Sequence, residues 1–205
     1  AAYMNRSLYP VGKSVKWLPD TDKYLFTDNE NPNNLMIQDV NAEKAEVLIT
    51  LDQVNSYLNQ AGLDSIKRLP NLTWIDATKA YYYSFDQKNN CVNLNLLDIN
   101  ANNIKKVTSI PSNAENHTIT LPSLKVAYTI ENNLYFADGE KHVQVTDNPE
   151  NVVAGQSVHR NEFAINGGIF WSPDGNKLAY YNMDESMVTD YPLVDITERV
   201  ATAKP

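Results

Sequence analysis

Four polar side chains of different chemistry stand next to one another in the last quarter of the chain. His159, Arg160, Asn161 and Glu162 place an imidazole, a guanidinium, an amide and a carboxylate in consecutive positions, with apolar residues on both sides. A carboxylate held in a fixed position can bind a cationic group, and its neighbours can add hydrogen bonds. The alternative is an Arg160–Glu162 ion pair in a surface loop, which is common and weakly stabilising.

No complete catalytic constellation accompanies these residues. The chain contains no Gly-x-Ser-x-Gly nucleophile elbow, no His-Glu-x-x-His helix, no phosphate loop and no Gly-x-Gly-x-x-Gly turn. Its single cysteine, Cys91, excludes an internal disulfide and a multi-cysteine metal site, and is interpreted as a small buried hydrophobe. The sequence therefore predicts neither a metal nor a cofactor.

Composition and charge exclude several classes of protein. With 205 residues, 42% hydrophobic and 20% charged, the chain is long and apolar enough to fold around a sizeable core. Its net charge of −8 and the lack of any clustered basic run argue against nucleic acid as a partner. Its apolar runs are far shorter than the roughly 20 residues that cross a bilayer, so no membrane span is predicted. The first residues do not resemble a signal peptide, so any export signal lies outside this chain.

The elements that must position the polar cluster are predicted to be strands. About one residue in eight is Asn, often in pairs, and there are 12 tyrosines but only 7 glycines. Asn tolerates left-handed backbone conformations, so these pairs can close hairpins between aromatic strands. The fold class is therefore predicted to be all-β with short strands.

A repeat organises these strands. A short polar turn, a lysine and an apolar-aromatic strand recur four times, at intervals of 56, 46 and 52 residues, at Lys23, Lys79, Lys125 and Lys177. After the first three, two further strands follow, at 35–40, 92–99 and 134–137 and then at 45–49, 104–108 and 143–146. A period near 50 residues with four strands per unit is typical of a β-propeller blade. An ordinary β-sandwich with unrelated hairpins is the alternative.

One segment has helical periodicity instead. Leu51, Val54, Leu58 and Ala61 are spaced as on one helix face, Thr50 and Gln53 can form a capping box, and Gly62 can end the last turn. We therefore predict a partial β-propeller of about four four-stranded blades, at roughly 1–50, 63–110, 111–150 and 151–205, with a short helix inserted at 51–62. Four blades rarely close a ring, so a larger propeller is expected.

The stretch from Val158 to Trp171 carries a family resemblance, together with the Trp-Ser-Pro-Asp-Gly turn that begins at Trp171 and the segment 183–193. It resembles the N-terminal propeller of the dipeptidyl peptidase IV family of serine aminopeptidases, in the prolyl oligopeptidase superfamily and in a bacterial branch. The resemblance covers almost the whole chain, and the Glu-bearing loop before Trp171 is its most specific part. It implies an eight-bladed propeller joined to an α/β-hydrolase domain that supplies the catalytic Ser, Asp and His. This chain would be the first four blades, without the hydrolase domain.

The resemblance also assigns roles to the polar cluster. In the family, a pair of adjacent propeller glutamates binds the α-ammonium of the substrate. Here Glu162 would be that anchor, the preceding position is the uncharged Asn161, and Asn161 and Arg160 would help to orient the peptide N-terminus. The single carboxylate leaves dipeptide and tripeptide release open. The family's carbonyl-binding arginine falls near the hairpin 87–89, where Lys88 is either a substitute point charge or a solvated hairpin lysine.

The predicted function follows from that resemblance. It implies the substrate-gating part of an exported, periplasmic or secreted serine exopeptidase that removes N-terminal dipeptides, or tripeptides, after proline. Its partners would be peptides with a free N-terminus, the hydrolase domain of the same chain and a second copy in a homodimer. The fragment alone should be inactive. The alternative is a non-enzymatic periplasmic propeller that serves as a binding scaffold, in which the reading frame would not continue into a nucleophile elbow.

Overall fold

Antiparallel strands dominate the chain. The computed structural model describes residues 14–158, 164–189, 193–195, 197 and 202–204. These residues form four-stranded and two-stranded antiparallel sheets and one short helix, so the predicted all-β, partial β-propeller fold class is confirmed. The chain divides into two compact units, Ala1–Ser112 and Asn113–Pro205. Among the residues described, no helix is long and apolar enough to cross a membrane.

The first unit contains two four-stranded sheets whose strands lie in sequence order. The first sheet consists of β1 (Lys16–Trp17), β2 (Lys23–Thr27), β3 (Asn34–Asp39) and β4 (Glu46–Thr50). The second consists of β5 (Thr73–Trp74), β6 (Lys79–Asp86), β7 (Cys91–Asp98) and β8 (Asn103–Pro111). Both are meanders, in which each strand pairs with the next one along the chain, as in a propeller blade.

The helix α1 (Leu51–Gln60) connects these two sheets. The predicted capping box is present: the Gln53 amide donates to the Thr50 hydroxyl at 3.2 Å, and the Thr50 amide donates to the Gln53 side chain at 2.9 Å. At the other end Gly62 has a φ of +71°, and its N–H donates to the Asn59 carbonyl. The predicted start of the helix is therefore correct, whereas the helix ends at Gln60, two residues before the end of the predicted segment 51–62.

The helix belongs to the core of the first unit. Its buried face contributes Val54 and Leu58 to a cluster of buried side chains drawn from both sheets: Ile49, Leu72, Ala80, Tyr82, Leu97 and Ile104. Burying this much apolar surface against two sheets explains why a helix of only ten residues is stable here.

The second unit begins with a third four-stranded meander and continues with shorter pairs. The meander consists of β9 (Glu115–Ile119), β10 (Val126–Ile130), β11 (Asn133–Asp138) and β12 (Lys141–Gln144). The remaining strands are β13 (Val152–Ala154), β14 (Ile169–Trp171), β15 (Leu178–Tyr180), β16 (Asn182–Asp184), β17 (Leu193–Asp195) and β18 (Thr202–Lys204). They form the two-stranded sheets β13–β16, β14–β15 and β17–β18, rather than a fourth four-stranded sheet within the described residues.

The lysine repeat corresponds to one backbone hydrogen bond that occurs four times. Each repeat lysine stands at or immediately before the start of a strand, β2, β6, β10 or β15, and its carbonyl closes the preceding turn. The four bonds, 2.8–3.0 Å long, run from the amides of Leu18, Ile75, Thr120 and Ser172 to the carbonyls of Lys23, Lys79, Lys125 and Lys177. The sequence repeat is therefore a structural repeat of the first hairpin of each blade.

Candidate functional site

The predicted site residues lie in a stretch that the structure does not describe. Arg160, Asn161 and Glu162, with His159, fall within 159–163, outside the described residues. The structure describes the chain up to Val158 and again from Ala164, and both sides lie in the second unit. These flanks show how the loop that carries the cluster is attached to the sheet.

Strands β13 and β14 pair with one continuous stretch of chain that contains β15 and β16. β15 and β16 are consecutive, separated only by Tyr181, and pair with β14 and β13 respectively. The Tyr181 amide donates to the Gly168 carbonyl at 2.9 Å, and the Tyr181 carbonyl accepts from the Gly155 amide at 2.8 Å. In an antiparallel ladder the N–H and C=O of one residue point to the same side, so β13 and β14 lie along the same edge. The chain leaves this edge after Gly155 and returns at Gly168. The connecting stretch, of which residues 156–158 and 164–167 are described, is here called the 156–167 loop.

The two ends of the 156–167 loop touch through their backbones. A Cβ atom at Gly168 would lie 2.2 Å from the carbonyl oxygen of Gln156, so no other residue fits there without moving the chain. Gly155 has a φ of +73°, a left-handed conformation that turns the chain out of the sheet. Together Gly155, Gln156 and Gly168 form what we call the neck of the loop.

Further contacts stabilise the loop beyond its neck. The Ser157 hydroxyl donates to the Ile165 carbonyl at 2.9 Å, which joins the two arms. Ala164, the first residue described after the cluster, has a φ of 59°, which non-glycine residues rarely adopt. The described residues on the two sides of 159–163 are therefore joined to each other by a hydrogen bond.

The base of the neck is anchored in the core of the second unit. Ile169, next to Gly168, is buried in a cluster with Ala127, Leu134 and Ala154. Trp171 packs at the edge of this cluster, and its indole N–H points to the Thr118 carbonyl at 3.5 Å. The position of the neck is thereby determined by the β9–β12 sheet of the same unit.

The Trp-Ser-Pro-Asp-Gly turn that follows is held by one carboxylate. Asp174 accepts hydrogen bonds from the Ser172 hydroxyl at 2.6 Å and from the Asn176 amide at 3.1 Å. The bond from Ser172, followed by those from Asn176, keeps the pKa of Asp174 below its usual value. These contacts give the turn a structural role, which agrees with the low functional specificity of the motif.

Lys88, which the sequence leaves open as a substitute point charge or a solvated hairpin lysine, lies in the first unit, on the β6–β7 hairpin. Its ammonium group is 3.1 Å from the Asp64 carboxylate, and both side chains are largely exposed. Asp86 shapes the hairpin by accepting from the side chain and backbone of Asn89 and from the Lys88 amide; these bonds lower its pKa. An exposed ion pair contributes little to stability, so the Lys88 ammonium can exchange Asp64 for another partner.

A cavity beside this hairpin was not foreseen from the sequence. It has a volume of about 530 Å³ and lies between the segment after α1 and the strands β6 and β7. Tyr82 and Asn95 line it; both are buried, and the Tyr82 hydroxyl and the Asn95 Oδ1 have no hydrogen-bond partner among the described residues. Burial raises the pKa of Tyr82 to about 12, so its hydroxyl stays protonated at neutral pH. In β7, Asn93 and Asn95 alternate with leucines, and this pattern could have indicated that polar side chains line one end of a buried sheet face.

Comparison with known proteins gives the family. Residues 67–204, more than half of the chain, match the family model described as the dipeptidyl peptidase IV (DPP IV) N-terminal region. The chain belongs to this family. The resemblance inferred from the loop and the repeats is therefore confirmed.

Individual relatives of the DPP IV family agree with this assignment. A Bacteroides ovatus protein described as a dipeptidyl aminopeptidase IV is 34% identical, with a TM-score of 0.70 over 94% of this chain and 26% of its own. A protein of Phaeosphaeria nodorum described as dipeptidyl-aminopeptidase B is 28% identical over 96% of this chain and 24% of its own length. Dipeptidyl peptidase 4 of Porphyromonas gingivalis, 18% identical with a TM-score of 0.57 over 94% of this chain and 28% of its own, shares the fold. The chain thus spans about a quarter of the length of these DPP IV family proteins.

Among the residues described, no group of three or more His, Cys, Asp or Glu side chains could hold a metal ion. The described flanks of the 159–163 stretch are attached to the sheet by two glycines and joined to each other by a hydroxyl bond.

Proposed function

We propose that this chain is the substrate-gating propeller part of an exported serine exopeptidase that removes N-terminal dipeptides, or tripeptides, after proline. Glu162 binds the α-ammonium of the substrate, and Arg160 and Asn161 orient the peptide N-terminus. The observation that carries the proposal is the anchored 156–167 loop in a chain of the DPP IV family. The charge-removing substitution Glu162→Gln in the full-length enzyme, assayed with free and N-blocked peptides, tests it.

In this proposal the site selects substrates by the distance between the carboxylate and the catalytic nucleophile. The hydrolase domain supplies the Ser nucleophile, the His base and the oxyanion hole, as in other serine hydrolases. A carboxylate at a set distance from that nucleophile favours peptides whose ammonium group reaches it when the scissile bond is in place. The number of residues released is then determined by the position of Glu162. Because the parent is exported, the site works in the periplasm or outside the cell.

The 205-residue chain alone is expected to hydrolyse no peptide, since it contains no nucleophile elbow. The measurement is the release of chromophore from Gly-Pro and Ala-Ala-Pro anilides by the purified chain, with the full-length enzyme as positive control. Turnover that persists through repeated purification and resists a serine-hydrolase inhibitor would contradict the proposal that catalysis belongs to the hydrolase domain and not to this chain.

The parent is further proposed to form a homodimer through the arm that begins at Met187. Met187 and Val188 are 92% and 65% exposed, and Val194 is 66% exposed, an unusual density of accessible apolar side chains. Sedimentation of the 205-residue chain is expected to show dimers or larger species, and Met187→Glu with Val188→Glu should shift them towards monomer. A monomer at high concentration, with no effect of the double substitution, would contradict this assembly.

A further inference from the structure

Asn166 and Gly167 form the only Asn-Gly pair in the chain, and they lie in the 156–167 loop. We propose that Asn166 is a site of spontaneous chemical modification, at which the side-chain amide is lost and replaced by aspartate or isoaspartate. The reaction needs a nearby backbone nitrogen that can approach the Asn side chain. A glycine in the following position presents that nitrogen with the least steric hindrance.

The chemical balance requires only water. The backbone nitrogen of Gly167 attacks Cγ of Asn166 and loses its proton to the solvent; the new N–Cγ bond forms as the Cγ–Nδ2 bond breaks. The nitrogen that leaves takes up a proton and departs as ammonia, and a succinimide ring remains. Addition of water to either ring carbonyl opens the ring, giving aspartate or, through the other carbonyl, isoaspartate.

The structure leaves this peptide group unrestrained between two anchors. On one side the Ile165 carbonyl accepts from Ser157, and on the other the Gly168 carbonyl accepts from Tyr181. Both Asn166 and Gly167 are exposed, and within the described part of the chain neither makes a hydrogen bond. Apart from the adjacent residues, a Cβ at Gly167 would have no neighbour closer than 3.9 Å, so Gly167 is not packed tightly against another described part of the chain.

The two Asp-Gly pairs of the same chain, which could form the same succinimide, are restrained by contrast. Gly139 and Gly175 sit in turns with φ of +59° and +67°. Asp174 accepts hydrogen bonds from Ser172 and Asn176, and its lowered pKa keeps it ionised, which makes its carboxylate a poor electrophile. Asp138 is paired in β11 and lies 3.8 Å from the Lys125 ammonium. These pairs serve as internal controls.

Conversion would alter the loop that carries Glu162. Aspartate adds a negative charge four positions along the chain, and isoaspartate also adds a methylene to the backbone between the two anchors. Because hydrogen bonds hold the Ile165 and Gly168 carbonyls on either side, the added methylene must change the backbone between these two anchors. This consequence rests on the proposed function, in which the position of Glu162 governs substrate binding. The modification of Asn166 itself does not depend on that function.

The test is to age the full-length enzyme at mildly alkaline pH and to map its peptides by mass spectrometry. We expect a gain of about one dalton at Asn166, with isoaspartate detected by an isoaspartyl methyltransferase, ahead of every other Asn. Asn166→Gln should abolish the gain and Gly167→Ala should slow it at least several-fold. An unmodified Asn166, or one that reacts no faster than exposed asparagines such as Asn100, would overturn the proposal.

Activity of the aged enzyme tests the consequence separately. We expect kcat/KM for free-amine peptides to fall as Asn166 converts, and the aged Gly167→Ala variant to lose less. Full activity after complete conversion would overturn the effect on the site. Since the mass is read independently of turnover, conversion at Asn166 in an enzyme that tolerates Glu162→Gln would refute the proposed function while supporting the modification site.

Discussion

Glu162→Gln in the full-length enzyme is expected to lower kcat/KM for peptides with a free N-terminus by roughly 30-fold to several thousand-fold. The substitution keeps the size of the side chain and a hydrogen-bond acceptor but removes the charge that is proposed to bind the substrate ammonium. Loss of one partner of a desolvated charge pair costs about 2 to 5 kcal/mol, which corresponds to this range. Steady-state kinetics with an X-Pro anilide measure the effect.

Peptides blocked at the N-terminus provide the control for that experiment. They carry no ammonium, so they should be poor substrates for the wild type and almost unaffected by the substitution. Glu140→Gln is the matched variant, because Glu140 is an exposed carboxylate on the β11–β12 hairpin, away from the 156–167 loop along the chain. If Glu162 forms only a surface pair with Arg160, the cost stays below about 1 kcal/mol and is equal for free and blocked peptides. An unchanged kcat/KM for the free peptide would remove Glu162 from the site.

The features predicted correctly from the sequence are those determined by short segments. The turn before each repeat lysine needs only a few residues to form its backbone bond, so the same pattern gives the same hairpin four times. The helix α1 is similarly local, because Thr50, Gln53 and Gly62 specify both ends within one segment. Blade boundaries, by contrast, remain predictions.

The alignment of β13 and β14 along one edge could not be predicted from patterns within a short segment. β13 and β14 are three residues each, too short for an alternating pattern, and they become one edge only through their shared partner strand around Tyr181. The requirement for glycine at 168 comes from the backbone of Gln156, twelve positions earlier, and nothing in the local sequence shows that contact. Within the described residues, the last part of the chain therefore consists of two-stranded sheets rather than a further four-stranded one. The site residues themselves were identified by family resemblance, and their positions remain predictions.

Gly168→Ala is expected to have the second large effect, because it tests whether the neck positions Glu162. The added methyl would overlap the Gln156 carbonyl at 2.2 Å and contact other backbone atoms of Gln156, so the chain must move rather than a flexible side chain. Overpacking of this kind typically costs about 1 to 3 kcal/mol in stability. A shift of about 1 Å in a positioning element can lower activity on the order of 100-fold. The measurements are urea unfolding and kcat/KM for a free-amine peptide in the full-length enzyme.

Gly167→Ala, one position earlier, separates the neck from the general effect of losing a glycine. Its methyl group would meet nothing closer than 3.9 Å, and Gly167 has no left-handed φ. This variant should therefore unfold at nearly the wild-type urea concentration and retain its kcat/KM. If Gly168→Ala is equally harmless, the neck is not tight and the loop is positioned by other contacts. If Gly168→Ala lowers kcat/KM for free peptides much more than for blocked ones, the neck acts through the ammonium-binding carboxylate, since a general disruption would weaken turnover of both substrates alike.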